Sequence, residues 1–292
     1  MKHVVRGPGL RAEVHAGRGA RISSLRSDDG FEWLLASRPT VSAGPGQPFV
    51  REGMGGWDEV APTVQADAGL LDEQGKPVPA LPDHGDIWNV PWTVGRAAPD
   101  ELEMSVDLGS LPIRLERRIS ATGTGLRLDY RASTESPLPV PLLWCAHPQF
   151  AAGPDTTVAL ELSGKPVTPL LVEMYPGQGA VRSFPVEPVH GTLGPGTSLK
   201  VLAAARTTVD AAVLCHGGGR SLRIGWDPAA LPYLGLFWDN GEFAREPVLA
   251  VEPSTSWGDR LSAAVRQGMA LTVAAGAPLE WALDVSSTTV LK

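Results

Sequence analysis

The sequence predicts an all-β protein, either a sandwich or a barrel of short antiparallel strands, and two observations carry this prediction. Apolar and polar residues alternate with a period of two in many short runs, which is the pattern of strands that bury one face. The 33 glycines and 27 prolines are spread between those runs, where they are typical of tight turns. One short stretch, residues 259–267, has a weak helical pattern, so helices contribute little to the predicted fold.

The clearest predicted strands lie between residues 102 and 132. Apolar residues occupy alternate positions in 102–108, 113–115 and 126–132, with turns rich in Gly or Pro between them. This pattern predicts three half-buried strands in an antiparallel meander. The same alternation recurs in 10–14, 222–226 and 279–285. No internal repeat and no linker-like change of composition interrupts the chain, so residues 1–292 are predicted to form a single domain.

Composition and charge restrict the classes of partner. The net charge is −7, the pI is about 5.4, and no Lys/Arg cluster is present, which argues against nucleic acid and anionic membranes as partners. No segment approaches the ~18 apolar residues of a membrane span, and the first residues lack the apolar stretch of a signal peptide. Cys145 and Cys215 form no disulfide framework, so we expect a cytoplasmic protein. We expect a small-molecule ligand, and either a monomer or a homodimer.

Sequence motifs for nucleotide cofactors and for common hydrolases are missing. The chain has no P-loop, no Rossmann glycine fingerprint, no G-x-S-x-G and no H-E-x-x-H. Its six histidines do not have the spacing of a zinc site. These patterns therefore predict neither a nucleotide cofactor nor a zinc site.

Two histidines have sequence neighbours that suit a role in acid–base catalysis. His84 lies between Asp83 and Asp86, and a carboxylate beside an imidazole favours its protonated form and fixes its tautomer. His147 precedes Pro148 after an apolar run, which predicts a histidine at a strand end, where the chain leaves the sheet. The ordinary alternatives are a polar loop without a task for His84, and a histidine hydrogen-bonded to the backbone for His147.

A third candidate is Glu252. It follows the apolar run 247–251 and precedes Pro253, so we expect it at the end of a buried strand. A carboxylate in such a position costs free energy unless it is paired or functional. The alternative is an edge residue exposed to water.

Aromatic residues accompany these stretches. The chain has nine Trp, and sugar sites combine an aromatic platform with a few fixed polar groups. Residues 237–240 (Phe-Trp-Asp-Asn) fit that combination, although a core Trp followed by an Asn-Gly turn fits equally well. The stretch 39–56 has no periodicity, so it is either a binding loop or a simple crossover between sheets.

Taken together, these residues resemble the aldose 1-epimerase, or galactose mutarotase-like, superfamily. Four motifs of that family have counterparts here, in the family's order. They are its opening strands, its first histidine motif, its second histidine motif and its C-terminal glutamate motif. Those counterparts are 19–25 with 32–34, 81–85 (Leu-Pro-Asp-His-Gly), 147–150 (His-Pro-Gln-Phe), and 251–253 (Val-Glu-Pro) with Asp259 a little beyond. The resemblance implies a large antiparallel β-sandwich, the galactose mutarotase-like supersandwich, with one open cleft.

The resemblance also implies an activity, the interconversion of the α and β anomers of a free, non-phosphorylated sugar without metal or cofactor. In this reaction Glu252 would be the base that takes the proton from the anomeric hydroxyl. His147 would be the acid that protonates the ring oxygen, and His84 would hydrogen-bond the ring oxygen or a neighbouring hydroxyl. Further candidates for substrate binding are Asp239, Trp238, Trp57, Asp58, Asp83 and Asp86.

The sequence departs from the family pattern at several points. Members that act on plain hexoses have an Asn-His-Ser-Tyr-Phe-like second motif, whereas 146–150 reads Ala-His-Pro-Gln-Phe. The Arg that follows the first His-Gly in phosphosugar members is replaced by 86–89 (Asp-Ile-Trp-Asn), and an acidic residue there disfavours a phosphorylated sugar. Residues 55–59 (Gly-Gly-Trp-Asp-Glu) resemble a less characterised branch. Two alternatives stay open: a carbohydrate-binding or sensing protein without turnover, and a glycoside-cleaving or lyase enzyme whose second acid or base is Asp58, Glu59 or Asp239.

Overall fold

A computed structural model describes residues 2–36, 44, 49, 54–72, 75–175, 177–183, 193–205 and 208–289. In these ranges nearly all of the regular secondary structure is β-strand, with one short helix. In chain order the elements are β1 (Lys2–Gly7), β2 (Leu10–His15), β3 (Arg21–Ser27), β4 (Gly56–Val60), β5 (Thr93–Ala98), β6 (Glu101–Asp107), β7 (Arg114–Ala121), β8 (Leu126–Ser133), β9 (Val140–Leu142), β10 (Cys145–Ala151), β11 (Thr157–Leu162), β12 (Lys165–Val167), β13 (Leu170–Tyr175), β14 (Val181–Ser183), β15 (Thr197–Ala203), β16 (Ala211–His216), β17 (Arg220–Trp226), β18 (Tyr233–Asn240), β19 (Val248–Ser254), α1 (Leu261–Arg266), β20 (Leu271–Val273) and β21 (Leu279–Thr289).

Two large antiparallel sheets contain nearly all of these strands. The first has the order β1-β2-β3-β4-β10-β19-β18-β15-β13-β14, and the second has the order β12-β11-β16-β17-β21-β8-β7-β6-β5. A small two-stranded sheet pairs β20 with β9. The predicted all-β sandwich is confirmed, and the predicted meander corresponds to β6, β7 and β8, which are neighbours in the second sheet. No helix in the described ranges is long and apolar enough to cross a membrane.

The core lies between the two sheets and is mostly apolar, because one face of each alternating strand points inward. One buried polar bridge crosses it. Glu59 of β4 accepts hydrogen bonds from Arg117 of β7 at 2.7 Å and from the Tyr130 hydroxyl of β8 at 2.8 Å. Burial raises the pKa of Glu59 to about 6, and the Arg117 charge opposes that shift. Glu59 therefore joins the sheets inside the sandwich.

The expected strand-end positions of His147 and Glu252 are wrong, because both residues lie inside central strands. His147 is the third residue of β10, and Glu252 is the fifth residue of β19. A proline after His147 is compatible with a central strand because of the local register. The β10–β19 ladder pairs Cys145 with Ser254 and then Gln149 with Ala250. Pro148, which has no N–H to donate, falls in the interval between these paired positions.

Candidate active site

A row of side chains crosses the outer face of the first sheet, the face turned away from the core. Residues directly opposite each other on antiparallel strands project to the same face. His147 of β10 is opposite Asp58 of β4, and the β10–β19 register places it beside Glu252. The His147 Nε2 and Glu252 Oε1 atoms are 3.6 Å apart. The spacing of this imidazole and this carboxylate is thus fixed by backbone hydrogen bonding.

A glycine on the neighbouring strand β18 leaves space for the Glu252 side chain. Glu252 is paired with Gly235 of β18, where a Cβ atom would lie only 2.8 Å from Glu252 Oε2. Gly235 is in turn paired with Leu202 of β15, and Lys200 lies two residues before Leu202 on the same face. The absence of a side chain at Gly235 therefore lets the Glu252 carboxylate reach Lys200.

Lys200 is a buried ammonium group held by two carboxylates. Its Nζ donates a hydrogen bond to Glu252 Oε2 and lies 3.2 Å from Asp259 Oδ1. Burial acts to lower the pKa of Lys200, but the charges of Asp259 and Glu252 outweigh it and raise the pKa well above its usual value. Burial raises the pKa of Glu252, and Lys200 opposes that shift. Lys200 therefore stays charged and favours the ionised form of Glu252.

His84 reaches this row from a tight turn. Its backbone has a left-handed φ of 58°, and the following Gly85 has φ 69°. A Cβ atom at Gly85 would lie 1.8 Å from the Ala61 carbonyl oxygen, so the close approach of the two segments requires glycine. The His84 N–H donates to the Val64 carbonyl at 2.7 Å. The segment that follows β4 thus fixes the position of the imidazole.

The same segment holds Asp259. The N–H groups of Val64 and Gln65 donate to the Asp259 carbonyl oxygen at 3.0 and 2.8 Å, and the Thr63 hydroxyl donates to it at 3.1 Å. Residues 61–65 therefore connect the His84 turn with the loop that carries Asp259. This explains how groups far apart in sequence meet at one place.

These groups surround a cavity of about 270 Å³. His84, His147, Lys200, Glu252 and Asp259 all line it. Its apolar wall consists of Phe49, Met54, Val64, Tyr175, Phe237 and Phe243. The volume is slightly below the ~300–1,000 Å³ that is typical of pockets for drug-sized ligands, so the cavity suits a single small molecule.

Two acceptor atoms in this cavity have no hydrogen-bond partner among the described residues. They are Oε1 of Glu252 and Oδ2 of Asp259, and both are buried. A buried polar atom without a partner is costly in free energy. Both residues line the cavity, so these oxygens are available to hydroxyl donors of a ligand.

The electrostatic surroundings of His147 keep its ring neutral. Burial lowers the pKa of His147 well below its usual value, and the positive charges of His84, Lys200 and Arg21 lower it further. The side-chain amide nitrogen of Gln149 lies 3.2 Å from both ring nitrogens. At neutral pH this imidazole therefore acts as a hydrogen-bonding group without charge.

The structure brings four of the residues selected from the sequence to the cavity: His84, His147, Glu252 and Asp83. Asp83 accepts a hydrogen bond from His84 Nδ1 at 2.8 Å. Asp86, in the same motif, is directed elsewhere, because its Oδ2 accepts the Ser110 N–H at 2.7 Å. The predicted cluster of His84, His147 and Glu252 is therefore present as a spatial group.

Three other residues selected from the sequence do not line the cavity. Asp58 is buried and forms an ion pair with Arg21; burial raises the pKa of Asp58 to about 7, and Arg21 opposes the shift. Trp57 and Trp238 belong to the apolar core. Trp238 projects inward while its neighbour Phe237 lines the cavity, because successive strand residues point to opposite faces.

Asp239 closes a turn. Its carboxylate accepts the N–H groups of Glu242 at 2.9 Å, Phe243 at 3.1 Å and Ala244 at 2.6 Å. Phe243 is part of the cavity wall. Asp239 is therefore connected with the site through the loop that it holds.

Substitution of Asp239 by Ala is expected to lower the free energy of unfolding by about 1.5–3 kcal/mol, since hydrogen bonds to a charged group are lost inside the protein. Asp239→Asn keeps one acceptor oxygen and should lose less. Urea unfolding of both variants measures the difference. Equal stability of Asp239→Ala and the unchanged protein would contradict this account of the turn.

Lys200 and most of the apolar wall were not predicted from the sequence. A signal for Lys200 was present, because the lysine interrupts the apolar run 199–203 (Leu-Lys-Val-Leu-Ala), and buried lysines are rare unless paired. Phe49 and Met54 belong to the stretch 39–56, whose other residues up to 53 lie outside the described ranges, except Gly44. Both side chains line the cavity, which favours a binding loop over a simple crossover.

Comparison with known proteins adds the fold family. The sequence matches no protein-family model and no curated protein. The structure is similar to that of the Slr1438 protein from Synechocystis sp. PCC 6803, with a TM-score of 0.77, 16% identity, and coverage of 99% of this chain and 96% of that one. A galactose mutarotase-like protein from Lactobacillus casei has a TM-score of 0.71 and 17% identity, with coverage of 99% and 100%. A galactose mutarotase related enzyme from Lactobacillus acidophilus has a TM-score of 0.73 and 12% identity, with coverage of 100% and 99%. The chain therefore has the galactose mutarotase-like fold that the resemblance of its motifs predicted.

Proposed function

We propose that the protein is an aldose 1-epimerase that interconverts the α and β anomers of a free, non-phosphorylated monosaccharide. The observation that carries the proposal is the meeting of the Glu252 carboxylate with the His147 and His84 imidazoles at one cavity. The reaction needs one base and one acid on the two oxygens of the anomeric carbon, and no redox or group-transfer reagent. The galactose mutarotase-like fold supports the same reaction class.

The proposed reaction moves two protons and breaks one bond. The Glu252 carboxylate takes the proton of the C1 hydroxyl while an imidazole protonates the ring oxygen, and the C1–O5 bond opens to a free aldehyde. Rotation about C1–C2 presents the other face of the carbonyl group to the C5 hydroxyl. Closure returns both protons to their original positions and gives the other anomer. A positioned acid or base typically contributes ~10²–10⁴-fold to such a rate.

Lys200 supports the base in this mechanism. Its ammonium group stabilises the carboxylate form of Glu252 against the cost of burial. Oε1 of Glu252 is the oxygen that Lys200 leaves unoccupied, so Oε1 is the atom that we assign to proton transfer. Lys200 is a positioning residue in this scheme.

The charges around the cavity favour a neutral sugar. Two carboxylates, Glu252 and Asp259, surround one ammonium, Lys200, so this cluster carries one net negative charge. A phosphate or a uronate would meet repulsion there, while sugar hydroxyls can donate to the unpartnered carboxylate oxygens. The aromatic wall supplies a surface for the C–H face of a sugar ring.

The glycoside-cleaving alternative receives less support from this arrangement. Asp58, Glu59 and Asp239, the expected second carboxyl groups, do not line the cavity. The carboxylate that does accompany Glu252 is Asp259, and the two share the Lys200 ammonium. A two-carboxylate hydrolase needs its carboxyl groups on either side of a scissile bond, whereas here an ammonium lies against both.

The experiment that tests the proposal follows anomer interconversion by NMR on freshly dissolved α-sugars, with a panel of neutral hexoses, pentoses and uronic acids. We expect the protein to accelerate the approach to equilibrium for at least one neutral monosaccharide and to leave the uronic acids at their spontaneous rate. Acceleration of no sugar would overturn the proposal. If sugar signals then still shift or broaden with the protein, the non-catalytic carbohydrate-binding alternative takes its place.

A further inference from the structure

The two imidazoles of the cavity are close enough that their charges influence each other. The ring centroids of His84 and His147 are 5.4 Å apart. Two positive charges at this distance repel, which disfavours the state in which both rings are protonated. The reaction needs one proton donor, so the surroundings of each ring decide which of them serves.

His147 has surroundings that oppose a positive charge. The ring is buried, and the charges of Lys200 and Arg21 act on it. The carboxylate beside it, Glu252, lies 3.6 Å away and is already paired with Lys200 through its other oxygen. A proton added to His147 would therefore be poorly compensated.

His84 has surroundings that favour a positive charge. Its Nδ1 lies 2.8 Å from Asp83 Oδ2. Burial acts to raise the pKa of Asp83, but the hydrogen bond and the charge of His84 outweigh it and lower the pKa, so Asp83 is ionised at neutral pH. The Phe49 ring stacks on the imidazole with centroids 3.9 Å apart and an angle of 9° between the planes. An aromatic face attracts a cation in this position.

The backbone of His84 is held in a left-handed conformation that places its imidazole between Asp83 and Phe49. A positive φ is uncommon for a residue other than glycine, and such strained positions occur at functional sites. The N–H bond to Val64 and the close approach of Gly85 to Ala61 maintain the turn. Because Asp83 occupies Nδ1, Nε2 is the ring nitrogen left for a ligand in the cavity.

We propose that His84, rather than His147, donates the proton to the ring oxygen of the sugar, and that Asp83 is the positioning residue that holds this proton on the imidazole. The assignment rests on the proposed function and refines its acid. The His84 Nε2 proton passes to the ring oxygen as the C1–O5 bond breaks, while Glu252 takes the C1 hydroxyl proton. On reclosure His84 takes back the proton from the C5 hydroxyl, and Glu252 returns the other to O1. His147 stays neutral and hydrogen-bonds the sugar.

The charged groups that act on the donor come from several elements. Asp83 is its neighbour in the same turn, and His147 projects from β10. Burial raises the pKa of Glu252 of β19, and the His84 charge is close enough to oppose that shift. The pH dependence of the reaction therefore reports on this group as a whole, and variants are needed to separate its members.

The kinetic test compares His84→Asn, His147→Asn and Asp83→Asn across pH. We expect His84→Asn to lower kcat by about 10²–10⁴-fold, the usual contribution of an acid, and His147→Asn to lower it much less. We expect Asp83→Asn to keep kcat at low pH and to move the alkaline limb of the kcat profile to lower pH, because the neutral amide no longer stabilises the imidazolium. A role limited to folding would not move that limb. A larger loss in His147→Asn than in His84→Asn would overturn the assignment.

A second readout does not depend on turnover. Spectra of the full chain with ¹⁵N-labelled histidine distinguish neutral from protonated rings, and the signals are assigned through the two histidine variants. We expect the His147 ring to stay neutral while the pH is lowered through the range in which the His84 ring takes up its proton, and the opposite order would overturn the assignment by itself. If the unchanged protein accelerates no sugar, the proposed function is overturned. The spectra test the assignment of the proton to His84 separately, because they show which ring carries the proton without turnover.

Discussion

Substitution of Glu252 by Gln is expected to remove the catalysed anomer interconversion while sugar binding is retained. The amide has nearly the shape of the carboxylate but cannot accept the C1 hydroxyl proton. The loss of a general base lowers a rate by about 10²–10⁴-fold, which would bring the catalysed rate close to the spontaneous one. The rate is measured by NMR on fresh α-sugar, and binding is measured by saturation transfer to the same sugar.

A matched control is Glu280→Gln, an identical chemical change at a side chain that is 69% exposed. Glu280 lies on β21 of the second sheet, so its variant should keep the full rate. Equal rates for Glu252→Gln and Glu280→Gln would show that Glu252 is not the base.

A further expectation concerns the pH dependence of the rate. The base must be deprotonated, and burial raises the pKa of Glu252. The rate of the unchanged protein should therefore fall with decreasing pH already above the usual range of a glutamate.

Substitution of Lys200 by Met is expected to lower both stability and activity. The side chain of Lys200 is 3% exposed and neutralises part of the charge of Glu252 and Asp259. Removal of one partner of a buried ion pair leaves uncompensated charge and costs about 3–5 kcal/mol. Without the ammonium, the pKa of Glu252 rises further, so less carboxylate is present at neutral pH and the acid limb of the rate profile moves to higher pH.

The pH dependence of the stability of Lys200→Met follows from the same change. Its Glu252 would have a higher pKa in the folded state than in the unfolded state, so the folded state binds more protons. The stability difference from the unchanged protein should therefore be smallest at low pH and should grow as the pH rises through the raised pKa. Urea unfolding at several pH values measures this trend.

The double variant Lys200→Met with Asp259→Asn serves as the control for Lys200→Met. It removes one positive and one negative charge, so part of the lost stability should return. An unchanged unfolding curve for Lys200→Met alone would show that the ammonium has no such role. A double variant that is less stable than Lys200→Met would show that Asp259 contributes in another way.

Strand content and order of motifs could be predicted from the sequence because they depend on local patterns. Alternation marks β6, β7 and β8 directly, and the Pro and Gly that flank His84 mark a turn. The direction of a side chain is harder to predict. Phe237 and Trp238 are both aromatic, so the alternation of β18 is consistent with either of them facing the core, and the structure selects Trp238.

The ion-pair cluster could not be predicted because it depends on distant strands. Lys200 and Glu252 are 52 residues apart, and the strand β18 lies between their strands in the sheet. The lysine is visible in an apolar run, but the sequence does not show which carboxylates compensate it. Pro148 is a similar case, because a proline locally indicates a strand end. The register between β10 and β19 nevertheless allows this proline inside a central strand.

The division between strands and loops at the cavity has a consequence for how such a protein can diversify. Glu252, His147 and Lys200 project from adjacent parts of one hydrogen-bonded sheet, so their mutual distances change little when loops change. Phe49, Met54 and Phe243 come from connecting segments, which tolerate insertion and substitution far better than a central strand. Under the proposed function, remodelling of those segments can therefore change which sugar is accepted, while the mutual spacing of Glu252, His147 and Lys200 on the sheet is retained.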